Sequence, residues 1–499
     1  MIDCQYVPGV REAPTISLKL LGKLLYISII GGSLYVIFSH WTYDDPFITY
    51  RYAVNLANGL GFVYNPSERV LSTTTPLFTV ILYLLGRLWD DLPRLAVLIG
   101  ALSIPVGALF LWDLARTWGS NIVGWTVLLL YPTSTLLLSS LSSETPLYIT
   151  FCLVAFAFYA RHRYSLAGVF SALAVLARPD GLLVPAILAG HYLLRGKGAF
   201  PWKAIILFLA LTLPWVIFSW AYFGSPIPVT LAAKRGQGAM AISQTFIEGF
   251  LGVVRNHASH WEFKLEAALV IMGLGYSVWK VKSWLFFLSW PLIYLIAFTL
   301  LGVSRYFWYY SPLIPGFVVA VGLGVTALVH IGKAAWTKWA PHPWNSYRKG
   351  AFVTGAIACL ALIPLIFAQV QNVFQLSQHA DPRYAIYRAV GEWLKAHLLP
   401  GDTVGALEVG IIGYYSQRPM IDFAGLVQPD IAARLTPSTT YEDSALWAVK
   451  HYKPSFLVLH DDYLLNVHND YAAESCKPVE RFLGEKYQYS SDLVIYDCR

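Results

Sequence analysis

The passage 41–76, WTYDDPFITYRYAVNLANGLGFVYNPSERVLSTTTP, gathers the residue types that could do chemistry. Between two apolar segments it sets paired carboxylates, Asp44 and Asp45, beside Arg51, three asparagines and a Ser/Thr run. Asp45-Pro46 reads as a helix start: Asp at the N-cap, then Pro at the first helical position, where a missing N–H costs nothing. The helix runs to about Asn58, and Gly59 supplies a left-handed stop. With Asp45 spent on capping, Asp44 lies just outside the helix with a free side chain. Arg51 falls about two turns in, able to counter an anion. A carboxylate next to a membrane with no sequence-local partner is a functional candidate. The plainer reading is that both aspartates cap and solvate a loop.

The elements that must position this passage are membrane spans. A 499-residue chain with 56% hydrophobic and 13% charged residues is not a soluble globular protein. Apolar runs near the length of a bilayer span fall at 18–39, 93–115, 122–141, 147–160, 165–177, 182–194, 202–221, 265–279, 284–301, 312–331 and 351–371, about eleven in all. The run 76–89 is shorter and reads as an interfacial helix. Basic clusters at Lys19/Lys23, Arg161/Arg163, Arg195/Lys197, Lys280/Lys282 and Lys333/Lys338/Arg348/Lys349 alternate with the polar loops. By the positive-inside rule they place a short polar tail, 1–17, in the cytoplasm and the loop 41–92 outside. No cleavage-site pattern follows the first apolar run, which reads as a retained span. The formal charge of +7 is dispersed among the spans, a topology signal and not a nucleic-acid footprint.

From about 380 the chain is a different material. A helical stretch at 384–398, β-rich runs at 403–407, 456–459 and 493–496, and a helical pattern at 444–450 suggest a small α/β domain. The five cysteines show no metal-ligand spacing. Cys476 and Cys498 are either a disulfide, if this domain is extracytoplasmic, or two free thiols. The expected fold is therefore an all-α polytopic bundle over 1–379 with an extracytoplasmic α/β domain over 380–499.

That orientation puts Asp44, Asp45 and Arg51 on one face with Glu144, the Arg178–Asp180 turn, Lys234/Arg235 and the Arg305-Tyr306 loop. Carboxylates and cations around an outward cavity suit transfer of a sugar from a lipid phosphate. A carboxylate deprotonates the acceptor hydroxyl, and cations or a metal receive the departing phosphate. Each residue also has a bland role. Glu144 can cap the next helix, Arg178-Pro-Asp-Gly can be a tight turn with an internal ion pair, and Arg305 can be a snorkelling anchor. Lys234 and Arg235 can be solvated loop charges.

The block DDPFITYRY, followed by Asn55, Gly59-Leu-Gly61-Phe-Val-Tyr-Asn65-Pro66 and Glu68-Arg69-Val70, resembles the first outer loop of GT-C superfamily glycosyltransferases. It is similar to the bacterial group of terminal arabinofuranosyltransferases and protein mannosyltransferase relatives. Later blocks continue the resemblance: Ser143-Glu144-Thr-Pro, Arg178-Pro-Asp-Gly181, Tyr222-Phe-Gly-Ser-Pro226 with Lys234, Arg305-Tyr-Phe-Trp-Tyr309, and Glu408-Val-Gly410 with Asp422. The resemblance implies an enzyme of the bacterial cytoplasmic membrane whose active site faces outward. It would use a polyprenyl-phosphate sugar donor in an inverting transfer to a glycan, lipid or protein acceptor. Its acidic residues map to Asp44 or Asp45 and to Glu144; the capping argument favours Asp44 as base, with Asp45 orienting the loop. Arg51, Arg178, Lys234, Arg305 and Tyr306 would meet the donor phosphate and lipid. A divalent cation, Mg or Mn, would sit at Asp45 and Glu144 if the transfer is metal-assisted. Leu71-Ser-Thr-Thr-Thr75 departs from the Glu-Gly-Tyr-Thr-Asn that relatives often carry there. Competing readings are a protein O-mannosyltransferase-like enzyme, a transporter or flippase of polyprenyl-linked sugars, and a catalytically silent subunit.

Overall fold

The computed structural model describes residues 18–195, 198–339 and 346–499. The 1–17 tail and Lys197 lie outside these described residues, as do the side chains of Lys338, Arg348 and Lys349. The first part of the chain is helical. It begins with α1 (Leu18–Phe38), α2 (Pro46–Ala57), α3 (Pro76–Gly86), α4 (Leu92–Thr117), α5 (Asn121–Leu130) and the single turn α6 (Thr135–Leu138). It continues with α7 (Thr145–Ala160), α8 (Tyr164–Ala177), α9 (Leu183–Arg195), α10 (Trp202–Phe223), α11 (Val229–Ala239) and α12 (Phe246–His257). The last four are α13 (Trp261–Trp279), α14 (Ser283–Leu301), α15 (Ile314–Trp339) and α16 (Ser346–Gln378).

Among the described residues six helical segments are long and apolar enough to cross a membrane: α1, α4, α10, α14, and those containing α15 and α16. The apolar helices α3, α7 and α8 are shorter. The chain is an integral membrane protein. Its transmembrane core packs Ala101, Ile104, Val123, Leu153, Phe156 and Trp290 against one another, fully buried. Two expectations need correction. The run 122–141 is not one helix: α5 stops at Leu130, and a 3-10 turn over Tyr131–Thr133 precedes α6. Pro132 is the reason, since it lacks an N–H and clashes with the preceding turn. The stretch from 222 to 264 is not plain loop but carries α11 and α12, the latter opened by a Thr245–Glu248 capping box.

The C-terminal part contains α17 (Arg383–His397), β1 (Val404–Ala406), α18 (Gly410–Ser416), β2 (Met420–Asp422), α19 (Pro429–Ala432), α20 (Tyr441–Tyr452), β3 (Phe456–His460), β4 (Lys477–Phe482) and β5 (Leu493–Asp497). The strands form one sheet in the order β2-β1-β3-β5-β4. β2, β1 and β3 run parallel, and β5 is antiparallel to both β3 and β4. The α/β expectation holds. β2 was too short, and β4 too exposed, to read as strands from the sequence. Cys476 and Cys498 form a disulfide at one end of the β4–β5 pair.

This domain is seated on the loop before α4, not hung from it. Phe47, Tyr52 and Phe62 share one buried apolar core with Ile386, Val390, Ile411 and Met420. Polar bonds fix the register. Arg51 is 1% exposed and donates to the Gly413 carbonyl at 2.9 Å and the Arg418 carbonyl at 2.6 Å. Asn65 donates to the Met420 carbonyl at 2.8 Å and accepts from its N–H at 2.9 Å. Tyr64 donates to the Val409 carbonyl at 2.6 Å. Glycine is required at the seam: a Cβ on Gly410 would strike the Asp44 backbone, and one on Gly413 would strike the Tyr64 hydroxyl and Arg51.

Gly410→Ala should therefore loosen the seam, at an overpacking cost of about 1–3 kcal/mol. Limited proteolysis and hydrogen exchange over 404–425 would report it. Unchanged protection there would mean that the backbone contact with Asp44 does not hold the domain.

Candidate functional site

A cavity of about 500 Å³ opens beside the seam. Its polar wall comes from four places: Asp45 at the start of α2, Ser72 to Thr75 before α3, Glu144 at the start of α7, and Arg178 with Asp180 between α8 and α9. Lys234 of α11 and Tyr309 complete that wall. Its apolar wall includes Trp215 and Val216 of α10, Leu231 of α11, and Phe298 and Leu301 of α14. The C-terminal domain contributes Leu426. Asp422 sets that position by accepting from the Ala424 and Val427 N–H groups at 2.8 and 2.9 Å.

Two cations, each paired with carboxylate, face this space. Lys234 Nζ lies 2.9 Å from Asp45 Oδ2. Arg178 lies 3.0 Å from Asp180 Oδ1 and 3.6 Å from Glu144 Oε1, and donates to Thr145 Oγ1 at 3.0 Å. Aromatic rings back both cations. Lys234 Nζ is 4.4 Å from the Tyr306 ring centroid and 5.1 Å from that of Trp308. The Arg178 guanidinium is 5.2 Å from the Tyr148 ring. Such faces favour a cation electrostatically. For Lys234, burial alone would lower the pKa, but Asp45 and then Tyr309 and Tyr306 outweigh it and hold the ammonium charged. Burial raises Glu144 above the ordinary carboxylate range, and Arg178 opposes it.

The wall also carries unmet hydrogen-bonding capacity. Among the described residues, Ser72 Oγ, Thr230 Oγ1 and Asp180 Oδ2 are buried, have no protein partner and belong to cavity-lining residues. Buried polar groups are normally paired, so these are groups a ligand could satisfy. Beside them Thr49, Thr73 and Thr75 form a triangle of hydroxyl contacts at 3.1–3.3 Å. The sequence flagged this run only as a departure; the structure makes it cavity wall.

The structure places the two aspartates otherwise than as a capping Asp45 and a free Asp44. Asp45 precedes α2 with Pro46 in the first turn, as expected, but its side chain makes no capping bond. Lys234, brought in by α11, claims it instead, and its side chain is 25% exposed toward the cavity. Asp44 is not free. It is 7% exposed, and its two oxygens accept from the Gly410 and Ile411 N–H groups at 2.9 and 2.7 Å. It thus satisfies the first turn of α18, whose own N-cap residue, Val409, has no side chain to do so. Arg51 belongs to the same seam and does not line the cavity. Arg305 is exposed, donates to Gln244 at 2.6 Å and does not line the cavity either. Tyr306 supports the site from behind, its ring under Lys234 and its hydroxyl bonded to Gln237 at 2.8 Å. Asp45 and Glu144, the residues expected to hold a divalent cation, lie on the wall of this cavity. Each carboxylate already faces its own cation, and no three His, Cys, Asp or Glu side chains gather to hold a metal among the described residues.

Burial, with the Glu408 carboxylate second, pushes Asp44 up to about 7, against the Ile411 N–H bond and Arg383. Seating the domain therefore takes up a proton. Its contribution is full below the ordinary aspartate value of about 4 and is lost as pH rises through about 7. Protection of the Gly410 and Ile411 amides, corrected for intrinsic exchange, should fall between about pH 6 and 8. Asp44→Asn presents one amide N–H₂ to a backbone donor, so it should weaken the seam by about 1–3 kcal/mol and flatten that pH dependence. A variant as steeply pH-dependent as the parent would exclude Asp44 as the titrating group.

The chain has the GT-C fold. It resembles ArnT from Cupriavidus metallidurans bound to undecaprenyl phosphate with a TM-score of 0.62 and 15% identity, over 95% of this chain and 97% of that one. The apo form of the same protein aligns at a TM-score of 0.62 and 13% identity, over 97% and 99%. Residues 372–496 match the family model described as Domain of unknown function (DUF8728). No curated protein matches the chain.

Proposed function

We propose that the chain is an integral-membrane glycosyltransferase that takes a sugar from a polyprenyl-phosphate donor. The observation that carries this reading is the single cavity that sets Asp45–Lys234 and Glu144–Arg178 against an apolar wall on α10 and α14. A carboxylate, two cations and a lipid-facing groove are the three parts the reaction needs. The shared fold with a GT-C glycosyltransferase crystallised with undecaprenyl phosphate supports the donor class.

In this reading Asp45, and not Asp44, is the general base. It is exposed to the cavity, whereas both oxygens of Asp44 are engaged by α18. Asp45 takes the proton of the acceptor hydroxyl as its oxygen attacks the anomeric carbon. The bond from that carbon to the phosphate oxygen breaks on the opposite face, which inverts the centre. The electron pair leaves on the phosphate. Lys234 and Arg178 meet that charge in a site already organised to hold cations, so the step incurs little reorganisation. Glu144 and Asp180 aim Arg178. Ser72, Thr230 and the threonines at 73 and 75 are placed to bind sugar hydroxyls. The polyprenyl tail lies along Trp215, Val216 and Leu301. The cavity faces the extracytoplasmic side, as the basic clusters predict, and the acceptor is a glycan, lipid or protein hydroxyl there.

Purified protein in nanodiscs, given a panel of radiolabelled polyprenyl-phosphate sugars, should consume one of them. Asp45→Asn should lower kcat by about a hundredfold or more, the scale of a lost general base. Lys234→Ala should cost roughly a hundred- to a thousandfold, and EDTA should change little. Donors that bind without turnover, or full activity in Asp45→Asn, would sink the transferase reading and favour a carrier.

A further inference from the structure

A second hollow, of about 1080 Å³, runs along α9 to the far end of the bundle. Three helices join it to the carboxylate cavity. α7 starts next to Glu144 and ends at Ala160, α9 starts just past Asp180 and ends at Arg195, and α14 runs from Ser283 to Leu301. Glu144 before α7, Asp180 before α9 and Phe298 and Leu301 at the last end of α14 line the carboxylate cavity, whereas Tyr159 and Ala160 at the far end of α7, α9 from Leu183 to Arg195, and α14 from Ser283 to Ile293 line this hollow. At 1.5 Å per residue the Ala160 end of the hollow lies about 24 Å along α7 from Glu144, close to the thickness of a bilayer's hydrocarbon core.

The chemistry of the hollow is one-sided. Arg195, Lys282, His162 and His191 line it, and no aspartate or glutamate does. Among the described residues neither Arg195 nor Lys282 has a carboxylate partner at ion-pair distance, whereas Arg161 next door is paired with Asp113. Hydrogen bonds of 2.8 Å between Tyr159 and His191 and between Tyr164 and His162 steady both imidazoles. The body of the hollow is apolar, with Ile187, Leu194, Phe286 and Ile293 among its walls. The flanks of α9 and α14 carry strongly exposed Leu193, Leu194 and Leu292, so the hollow opens sideways to the region of lipid tails.

We propose that this hollow seats the headgroup of an anionic phospholipid, with its phosphate against Arg195 and Lys282 and its acyl chains along α9 and α14. The exposed leucines at the mouth decide for a lipid over a dissolved anion: they suit acyl chains and offer nothing to inorganic phosphate. The site is independent of the catalytic reading, since none of its lining residues belongs to the carboxylate cavity.

Native mass spectrometry of the full chain in detergent tests this with phosphatidylglycerol, phosphatidylcholine and inorganic phosphate supplied separately. Phosphatidylglycerol should be retained about tenfold or more over phosphatidylcholine, and inorganic phosphate should not be retained. The double variant Arg195→Gln/Lys282→Gln should lose that preference, since each basic residue near an anionic lipid contributes a severalfold gain in binding. A double variant at the same end, Lys19→Gln/Lys23→Gln, should keep it. Both altered residues are exposed, and a lipid-free melting temperature matching the parent would confirm that the fold survives. Equal retention of the two lipids, retention of free phosphate, a preference that survives in the first variant or an equal loss in the second would each overturn the proposal.

Discussion

The carboxylate of Asp44 sits against the first two amides of α18, 366 and 367 residues away in sequence, and the geometry of the candidate site depends on that contact. A short helix offers unsatisfied N–H groups at its start, and burying them without a partner would cost more than a kilocalorie per mole each, by order of magnitude (~1–3). Asp44 answers them with its two side-chain oxygens, in a position shielded from water. Because the next residue is Asp45, the same contact fixes where the cavity carboxylate stands. The domain seam and the cavity edge are one piece of backbone.

Around that piece the polar interactions divide by purpose. Arg51, Tyr64 and Asn65 aim at backbone groups of the C-terminal domain, a pattern that rigidifies and leaves nothing for a ligand. Lys234 and Arg178 aim at carboxylates and rings, and stay charged in a half-open space. Buried ion pairs are poor sources of stability. Their retention here, beside hydroxyls with no partner, fits a site arranged for a substrate and not for the fold alone. The aromatic rings of Tyr306, Trp308 and Tyr309 add to this by supplying a face that stabilises an ammonium without neutralising it.

The C-terminal domain is part of the site's construction. Its mixed sheet carries Asp422 at the end of β2, and the turn that Asp422 holds brings Leu426 to the cavity. Gln237 of α11 closes the circuit by donating to the Ala424 carbonyl at 3.0 Å while accepting from Tyr306. The helix that carries Lys234 is thereby tied to the domain and to the aromatic loop at once.

Much of this was legible in the sequence. Apolar runs of bilayer length specify membrane helices, because hydrocarbon cannot satisfy a backbone and a helix satisfies its own. Pro46 and Gly59 bounded α2 almost to the residue, since a fixed φ and a left-handed φ of 75° are local properties. Asp44, Asp45, Glu144, Arg178 and Lys234 were legible as charges on polar segments beside the spans. What the sequence could not assign was which aspartate faces the cavity. That choice rests on two partners far along the chain: α18, which claims Asp44, and Lys234 on a helix that hydropathy did not reveal. Arg51 and Arg305 were misplaced for the same reason: a charge has a type in the sequence but acquires its partner only when distant segments meet. Local stereochemistry settled the elements, and long-range electrostatics and burial settled the roles.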